Sequence, residues 1–480
     1  MVTVVERISP AYDVLCAGWT RRRLLGMPGG WGVRILVYEQ YRKIAVDMVM
    51  AGVKAADPSE AITRNVKVDG DQIRICDLTF SRAALDRILL FSVGKASAPM
   101  ASAFERVLTP DGGLAITKIG AEIGAVGLTS IPLLRAYHPE PRDVNVEATE
   151  RVLDMVRAIK PEEKVLVVFL ISGGGSALFT APPPGVGVND LFALNQLLMK
   201  WGGNIHQINA VRKHIDEVKG GRFARTCAEK GATVVSLILS DVVGDDLSVV
   251  ASGPTYPDET TFADAIGLLK RFGVWDECPP SVQKHLEAGL NDPRMESLRE
   301  LPPKVHNYLV GNNAIALRAA QEVAKEAGLP TMILTSQNHG EAREVAKTIM
   351  AIAKEIQDAG HPVAPPVALI VGGEMTVTFS WDERDGFGPN REFVLSSALE
   401  IADRTGIVVA AADTDGEDGQ GKSGAIADCR TISRSSMDAR RQLQIHKSEV
   451  FFDALGDSLA FKSRTNVNDL VVVLVGSKSG

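Results

Sequence analysis

The sequence predicts an α/β protein of two domains, each built on a mostly parallel sheet with helices on both faces. Three observations lead to this prediction. The chain has 480 residues, which is too many for one hydrophobic core. Apolar runs of strand length alternate with longer segments of helical periodicity. A segment rich in proline and charge, residues 276–304, separates two series of strands and resembles a domain junction.

The predicted boundaries follow from where this periodic pattern begins and breaks. Residues 1–37 lack a sustained apolar face, and we expect an N-terminal extension with little regular structure. Residues 38–290 are predicted to form a large N-terminal α/β domain, and residues 300–480 a smaller C-terminal α/β domain. A helix is expected over residues 41–56 and a long amphipathic helix over residues 341–360. The predicted strands are 88–93, 165–171, 233–240, 306–310, 332–335, 367–371, 406–412 and 470–475.

Composition excludes several classes of protein. Apolar residues make up 45% of the chain and charged residues 23%, as in ordinary globular proteins. The net charge of −7 argues against a nucleic-acid-binding surface, and no apolar run approaches the length needed to span a bilayer. The five scattered cysteines contain no C-x-x-C pair, so we expect a reducing, cytoplasmic environment without a zinc site. The sequence allows a homodimer but does not determine the number of subunits.

A glycine-rich segment directly follows the most apolar predicted strand. The run VLVVFLI ends at Ser172, Gly173, Gly174, Gly175 and Ser176. Three consecutive glycines leave backbone N–H groups accessible, so a phosphate could bind there, particularly beside the start of a helix. The alternative is a tight strand-to-helix turn without a ligand. Because ligands of parallel sheets bind at the carboxyl ends of the strands, this position favours a phosphate-binding loop.

Two charged side chains follow other predicted strands. Lys95 lies in the turn after residues 88–93, where it would add a positive charge to the N-terminus of the next helix. Asp241 follows residues 233–240 and could hold Mg²⁺ or accept the proton of a substrate hydroxyl. The alternatives are a solvated surface lysine and an aspartate that caps a turn. We predict functional roles for both side chains.

The segment NAVRKHIDEVKGGRFA is dense in hydrogen-bonding groups for a helix. Arg212 offers a bidentate fork that could bind a substrate carboxylate. His214 is predicted to be a packed or solvated helix residue rather than a base. Residues 219–221 are expected to end the helix.

Three residues of the C-terminal half are further candidates. Arg391 lies near the start of a predicted helix after a glycine-proline loop, where it could clamp a transferring phosphate. Glu374 and Asp413 each follow a predicted strand. Residues 416–423 match the P-loop pattern and residues 419–424 match G-x-G-x-x-G, but carboxylates intervene between the strand and these glycines. We therefore interpret both motif matches as coincidental.

Taken together, these segments resemble the glycerate 2-kinases whose C-terminal region is called the MOFRL domain, a family in which the name hydroxypyruvate reductase also occurs. Nine segments match in the same order, from about Tyr41 to the C-terminus. They are VGKASAPM, AYHPEP, LISGGGSALFTAPPPG, NAVRKHIDEVKGGRFA, LILSDVVGDDLSVVASGPT, VGNNAIAL, GGEMTVTF, GPNREFVLSSAL and AADTDGEDG followed by SGAIAD.

The resemblance implies ATP-dependent phosphorylation of D-glycerate to 2-phosphoglycerate with Mg²⁺, at an active site in the cleft between the domains. It implies catalytic roles for Lys95, Asp241 and Arg391, with Asp241 on the metal. We assign the carboxylate of the substrate to Arg212, with Lys95 and Arg391 as further contacts. The residues assigned to the nucleotide are Ser172, Gly173, Gly174, Gly175, Ser176, Asn312, Glu374 and Asp413.

Three alternatives remain open at the level of the sequence. The first is an NAD(P)H-dependent hydroxypyruvate reductase, which rests on the G-x-G-x-x-G match. The second is a kinase that acts on a related small sugar acid. The third is a ligand-binding or regulatory protein that has kept the fold of a kinase.

Overall fold

The computed structural model describes residues 31–121, 127–379, 387–419 and 421–478, with the backbone alone for residues 31–37. The chain divides into two compact units. One, here called the parallel-sheet unit, contains residues 55–312 and 464–467. The other, the mixed-sheet unit, contains the described chain up to residue 54, residues 313–463 and the chain from residue 468. No helix within the described ranges is long and apolar enough to cross a membrane.

The first described element is a long helix, α1 (Trp31–Ala55), and the elements of the parallel-sheet unit follow it. Its helices are α2 (Pro58–Asn65), α3 (Ser97–Val107), α4 (Asp143–Arg157), α5 (Gly175–Leu178), α6 (Val188–Lys200), α7 (Ile205–Lys213), α8 (Arg222–Glu229), α9 (Phe262–Arg271) and α10 (Pro280–Asn291). Its strands are β1 (Val66–Asp69), β2 (Gln72–Ile75), β3 (Leu78–Ser81), β4 (Arg87–Val93), β5 (Gly112–Lys118), β6 (Leu133–Ala136), β7 (Val165–Ile171), β8 (Thr233–Leu239) and β9 (Val305–Gly311).

The main sheet of this unit has the strand order β6-β5-β4-β7-β8-β9, and every neighbouring pair is parallel. From β4 the chain proceeds outward to β5 and β6, whereas from β7 it proceeds in the opposite direction to β8 and β9. The sheet therefore has a topological switch point between β4 and β7. Open parallel sheets bind ligands at the carboxyl ends of the strands at such a point, because the two connections diverge there and leave a crevice.

The sequence explains why these strands lie at the centre. All seven residues of β7 are buried, as are the last six of β4, which is typical of parallel strands covered by helices on both faces. Aromatic rings fill one face: Phe169 lies 5.4 Å from Phe179 and 4.7 Å from Phe223, measured between ring centroids. The α/β class is confirmed. The small antiparallel sheet β1-β2-β3 was not predicted, because its strands have only four residues each.

The mixed-sheet unit continues with helices α11 (Asn313–Glu326), α12 (Ala342–Ala359), α13 (Pro389–Glu400), α14 (Thr431–Arg434), α15 (Ala439–Gln444) and α16 (Ser448–Leu455). Its strands are β10 (Thr331–Glu341), β11 (Val367–Thr376), β12 (Ile407–Asp413), β13 (Gly424–Asp428), β14 (Ser458–Leu459) and β15 (Asp469–Val475). The strand order is β10-β11-β15-β12-β13-β14.

The prediction of a mostly parallel sheet is wrong for this second unit. Only β10 and β11 pair in parallel, and the other four pairings are antiparallel. Strands β11 and β12 do run in the same direction, as alternation with helices predicts, but β15 lies between them in the opposite direction. Strand β13 then folds back from β12 as a hairpin. The alternation of strands and helices determines the direction of strands that helices connect. It does not determine which position in the sheet the last strand, β15, occupies.

The division of the chain also differs from the predicted boundaries. Strand β9 pairs with β8, so the first sheet extends to residue 311, beyond the proline-rich stretch that was interpreted as the junction. Residues of α1 such as Ala45 and Met48 lie in one apolar cluster with Leu317 and Val472, so this helix belongs to the mixed-sheet unit. The helix also begins at Trp31 instead of residue 41, which shortens the expected extension. Residues 1–30 lie outside the described residues.

Buried His214 makes the stability of the parallel-sheet unit depend on pH. Its side chain is completely buried, its Nδ1 lies 2.7 Å from the carbonyl oxygen of Ala210, and its ring packs edge-on against Phe262. Burial, and then the nearby charge of Arg222, lowers the pKa of His214 to about 4. The prediction of a packed helix histidine is therefore confirmed. In the unfolded chain this histidine binds a proton near pH 6.5, so the unfolded state gains protons first on acidification.

We therefore expect the stabilising contribution of neutral His214 to be fully present above pH 6.5 and to be lost as the pH falls toward 4. The free energy of unfolding should decrease by roughly 3 kcal/mol from this residue alone. Urea unfolding of the wild type, His214→Gln and the exposed control His206→Gln at pH 7.5 and pH 4.5 measures this. The decrease should be smaller in His214→Gln than in the other two proteins. An equal decrease in all three would contradict the assignment.

Candidate active site

The predicted phosphate loop lies at the switch point of the parallel sheet. It follows β7, and the turn that contains Lys95 follows the adjacent strand β4. The two loops are connected directly, because the Lys95 amide donates to the Gly173 carbonyl at 2.8 Å and the Ala96 amide donates to Ser172 Oγ at 3.1 Å. The sheet order therefore places the glycine loop beside the turn that contains Lys95.

Glycine is required in this loop because other groups approach its backbone closely. A methyl group on Gly173 would lie 1.9 Å from Asp241 Oδ2, and one on Gly174 would lie 3.3 Å from Lys95 Cγ. Gly174 also has a φ of +82°, in the left-handed region that favours glycine. Within the described chain, the amide N–H groups of Gly173 and Gly174 have no hydrogen-bond acceptor. Successive unpaired amides in such a turn form an anion-binding nest.

Asp241 lies at the carboxyl end of β8, beside the glycine loop. Its carboxylate packs against the Cα of Gly173, and burial raises its pKa while the charge of Lys95 lowers it. Asn312 occupies the same edge after β9, where its Nδ2 donates to Asp245 Oδ2 at 2.5 Å. The structure thus brings together four predicted elements at the carboxyl ends of four adjacent strands: Lys95, the Ser172–Ser176 loop, Asp241 and Asn312.

Arg212 lies on a cavity of about 250 Å³ that the glycine loop borders through Gly174 and Ser176. Its Nε donates to Asn195 Oδ1 at 2.7 Å, and burial lowers its pKa. No ion pair of Arg212 is present in the part of the chain that the structure describes. The remaining lining residues are His138, Pro139, Pro141, Ala177, Thr180, Leu191, Met199, Ile215, Asp216 and Lys219.

Lys219 is a cavity residue that sequence reasoning missed. The pattern Lys-Gly-Gly was interpreted as the end of a helix, but α7 ends at Lys213, and Gly221 instead caps the start of α8. Lys219 is almost completely buried; its Nζ bonds Asp216 and lies 2.9 Å from Thr180 Oγ1. Burial lowers its pKa, and the Asp216 carboxylate opposes that change. Its burial beside the cavity identifies Lys219 as a candidate, and the sequence does not show which lysines are buried.

Ser176 is held by a chain of hydrogen bonds that sequence reasoning also missed. Its hydroxyl lies 2.9 Å from Ser252 Oγ, which in turn donates to Asn209 Oδ1 at 2.9 Å. Ser252 and its neighbour Ala251 both have positive φ angles, of 59° and 51°. Strained non-glycine residues of this kind cluster at functional sites, because the surrounding structure must hold them in place.

The predicted phosphate clamp Arg391 has a different environment from the one expected. Its side chain is completely buried inside the mixed-sheet unit. The Nε donates to Asp418 Oδ2 at 3.0 Å, the Nη2 donates to the Asp418 carbonyl at 2.6 Å, and Nη1 lies 3.3 Å from Glu449. A guanidinium enclosed by two carboxylates stabilises its own loop, and the catalytic and substrate-binding role of Arg391 stays a prediction.

Glu374 and Asp413 also belong to the mixed-sheet unit. Glu374 is exposed near the end of β11. Asp413 ends β12 directly opposite Asp469 on β15. Burial, followed by the charges of Asp415 and Asp469, raises the pKa of Asp413 well above its usual range. The assignment of both residues to the nucleotide stays a prediction.

The two overlapping motif matches near residue 420 lack the structure that they require. The segment joins β12 to β13, which form an antiparallel hairpin. A P-loop and a dinucleotide fingerprint both need a strand that leads through glycines into a helix. Lys422 instead pairs with Asp453 at 2.8 Å on the surface. The interpretation of both matches as coincidental is confirmed, and with it the reductase alternative loses its support from the sequence.

Comparisons with known proteins give two family matches and several similar proteins of known name. A family described as "Domain of unknown function (DUF4147)" matches residues 44–287, and the MOFRL family matches residues 367–469. The glycerate 2-kinase of Pyrococcus horikoshii is 38% identical over 92% of this chain and 98% of its own length. The crystal structure of the glycerate kinase of Thermotoga maritima superposes with a TM-score of 0.80 at 34% identity, over 91% of this chain and 100% of that chain.

Proposed function

Because the chain belongs to the glycerate 2-kinase family, we propose that it transfers the γ-phosphoryl group of ATP to the 2-hydroxyl of D-glycerate and forms 2-phosphoglycerate. Such a reaction requires mainly that the reactants are positioned and that the charge on the transferring group is neutralised. The parallel-sheet unit offers residues for both tasks.

The observation that carries this proposal is Arg212 beside the glycine loop. Arg212 is half-buried, its Nε is oriented by Asn195, and its guanidinium has no carboxylate partner among the described residues. Burying a cation without a counter-ion is unfavourable, because the charge loses its hydration. Binding of an anion offsets this desolvation cost. A hydroxy acid bound in the cavity would place its carboxylate on this fork and its hydroxyl toward the loop that borders the same cavity.

The glycine loop is the proposed site for the phosphates of ATP. The unpaired amides of Gly173 and Gly174 can donate to phosphate oxygens, and the hydroxyls of Ser172 and Ser176 flank them. Lys95, whose side chain packs against Gly174, supplies a positive charge at the place where the γ-phosphoryl group would be transferred. Asn312 lies at the same edge of the sheet and is proposed as a further nucleotide contact.

Asp241 is the proposed protein ligand of a magnesium ion. Among the described residues no group of three or more histidine, cysteine, aspartate or glutamate side chains forms a metal site. A single strand-end carboxylate nevertheless matches the way proteins hold Mg²⁺, with one or two carboxylates and the phosphates of the substrate. The ion supplies charge neutralisation on the phosphate oxygens. Because ATP and free thiols are found in the cytoplasm, we also propose a cytoplasmic location.

The experiment that tests this function measures ADP release with a panel of small hydroxy acids. We expect turnover with D-glycerate that requires ATP and Mg²⁺, and a product identified as 2-phosphoglycerate by NMR. A related sugar acid that is turned over much faster than D-glycerate would overturn the substrate assignment. Oxidation of NADH or NADPH by hydroxypyruvate, without ADP release from any acid, would overturn the kinase assignment.

Replacing Arg212 should impair the binding of the acid and not the binding of ATP. Loss of a charge-assisted hydrogen-bonded pair costs about 1.5–3 kcal/mol, so Arg212→Ala should raise the KM for D-glycerate by about ten- to a hundred-fold. The KM for ATP should change little. The control is Arg294→Ala, because Arg294 is 90% exposed and Asp292 is its one ion-pair partner among the described residues. An unchanged KM for D-glycerate in folded Arg212→Ala would contradict the assignment.

A further inference from the structure

His138 is a cavity residue to which neither the sequence pattern nor the comparisons assign a role. It follows β6 at the same edge of the sheet as Lys95, and it lines the cavity together with Ser176 and Arg212. A methyl group on Gly174 would lie 3.0 Å from both Cδ2 and Nε2 of His138. The imidazole therefore packs against the glycine loop at Gly174, which the side chain of Lys95 also approaches.

The imidazole of His138 is available to a ligand. Within the described ranges, neither of its ring nitrogens has a hydrogen-bond partner. Burial, followed by the charges of Lys95 and Lys118, lowers the pKa of His138 to about 4. The ring is consequently neutral near pH 7, with one nitrogen that can accept a proton. The other charged groups that line the cavity are Arg212, Asp216 and Lys219.

We propose that His138 is a catalytic residue that accepts the proton of the attacking hydroxyl group. The inference rests on the proposed function and identifies the base for that reaction. The O–H bond of the substrate hydroxyl breaks and its proton binds a ring nitrogen of His138. The hydroxyl oxygen forms a bond to the γ-phosphorus of ATP, and the bond from that phosphorus to the β–γ bridging oxygen breaks. ADP leaves with the electron pair, and His138 releases the proton to water.

The geometry favours His138 over Asp241 for this role. The Asp241 carboxylate lies against Gly173 and interacts with the charge of Lys95, which suits a metal ligand on the phosphate side of the loop. His138 instead faces the cavity that Arg212 borders, where the carboxylate of the acid is proposed to bind. A substrate hydroxyl held between Arg212 and the glycine loop would thus lie next to the imidazole of His138. Unlike a carboxylate, the neutral imidazole is not drawn into an ion pair with Lys95.

The test compares wild type, His138→Gln, His138→Ala and the control His206→Gln, whose imidazole is 65% exposed. Circular dichroism and calorimetric titration with ATP and D-glycerate establish that each variant folds and binds. General bases typically contribute a hundred-fold or more, so we expect kcat near pH 7 to fall about a hundred-fold in both His138 variants. The kcat of these variants should rise with pH, because hydroxide replaces the missing base, and added imidazole should partly rescue His138→Ala.

The outcomes separate this inference from the proposed function. A wild-type enzyme that phosphorylates a hydroxy acid, together with His138 variants that keep kcat within ten-fold and an unchanged pH profile, would overturn the role of His138 alone. A lower kcat with a wild-type pH profile and no rescue by imidazole would also overturn it, since a structural role predicts that result. A wild-type protein that transfers phosphate to no hydroxy acid would overturn both.

Discussion

Lys95→Ala should lower kcat by a hundred-fold or more while leaving the protein folded. The side chain packs against Gly174, next to amides that already favour an anion, so its charge acts where negative charge accumulates during phosphoryl transfer. Lys95 makes no ion pair in the part of the chain that the structure describes, so its removal breaks no described ion pair, although its charge lowers the pKa of Asp241. Steady-state kinetics with ATP and D-glycerate at a fixed Mg²⁺ concentration measure the effect.

The matched control is Lys422→Ala, a second lysine that follows glycines in a loop. Lys422 forms an exposed pair with Asp453 at 2.8 Å, and exposed pairs contribute little to stability. We expect kcat and KM values close to those of the wild type. A larger defect in Lys422→Ala than in Lys95→Ala would move the nucleotide to the 416–423 loop and overturn the placement at the switch point.

Gly173→Ala should be comparably severe, although it adds only one methyl group. That methyl would lie 1.9 Å from Asp241 Oδ2 and 2.6 Å from its Cγ, so the carboxylate or the loop must move. Either movement disrupts the arrangement of amides and carboxylate that phosphoryl transfer requires. We expect kcat to fall on the order of a hundred-fold, because catalysis depends on groups held within a fraction of an ångström. Thermal unfolding of the variant should remain cooperative.

Two comparisons make this second prediction specific. Gly267→Ala is the control, since Gly267 lies in α9 and no described atom beyond its own stretch of helix lies within 4 Å of the added methyl, and alanine should stabilise the helix by up to ~1 kcal/mol. Its activity should not change. In an Asp241→Ala background the clash is removed, so adding Gly173→Ala should cost little more. Additive losses in kcat would show that Gly173 acts independently of Asp241.

The sequence determined the α/β class, the central strands and the residues that follow them. Strands β4 and β7 are continuous apolar runs, and such runs can only be buried, so their positions and the loops after them were predictable. The amino-acid pattern alone therefore places Lys95 and the Ser172–Ser176 loop at the carboxyl ends of strands. The nine matching segments added the kind of reaction, which residue periodicity does not contain.

Only the tertiary structure decided which of these loops are neighbours and which charges have partners. The order of strands placed β4 beside β7, and this adjacency created the contacts between Lys95 and Gly173. Two arginines of the sequence differ in their ion pairs: Arg391 is enclosed by Asp418 and Glu449, whereas Arg212 has no described carboxylate partner. His138 and Lys219 became visible only as cavity residues. Burial and pairing depend on groups that are distant in the chain, and local sequence patterns do not record them.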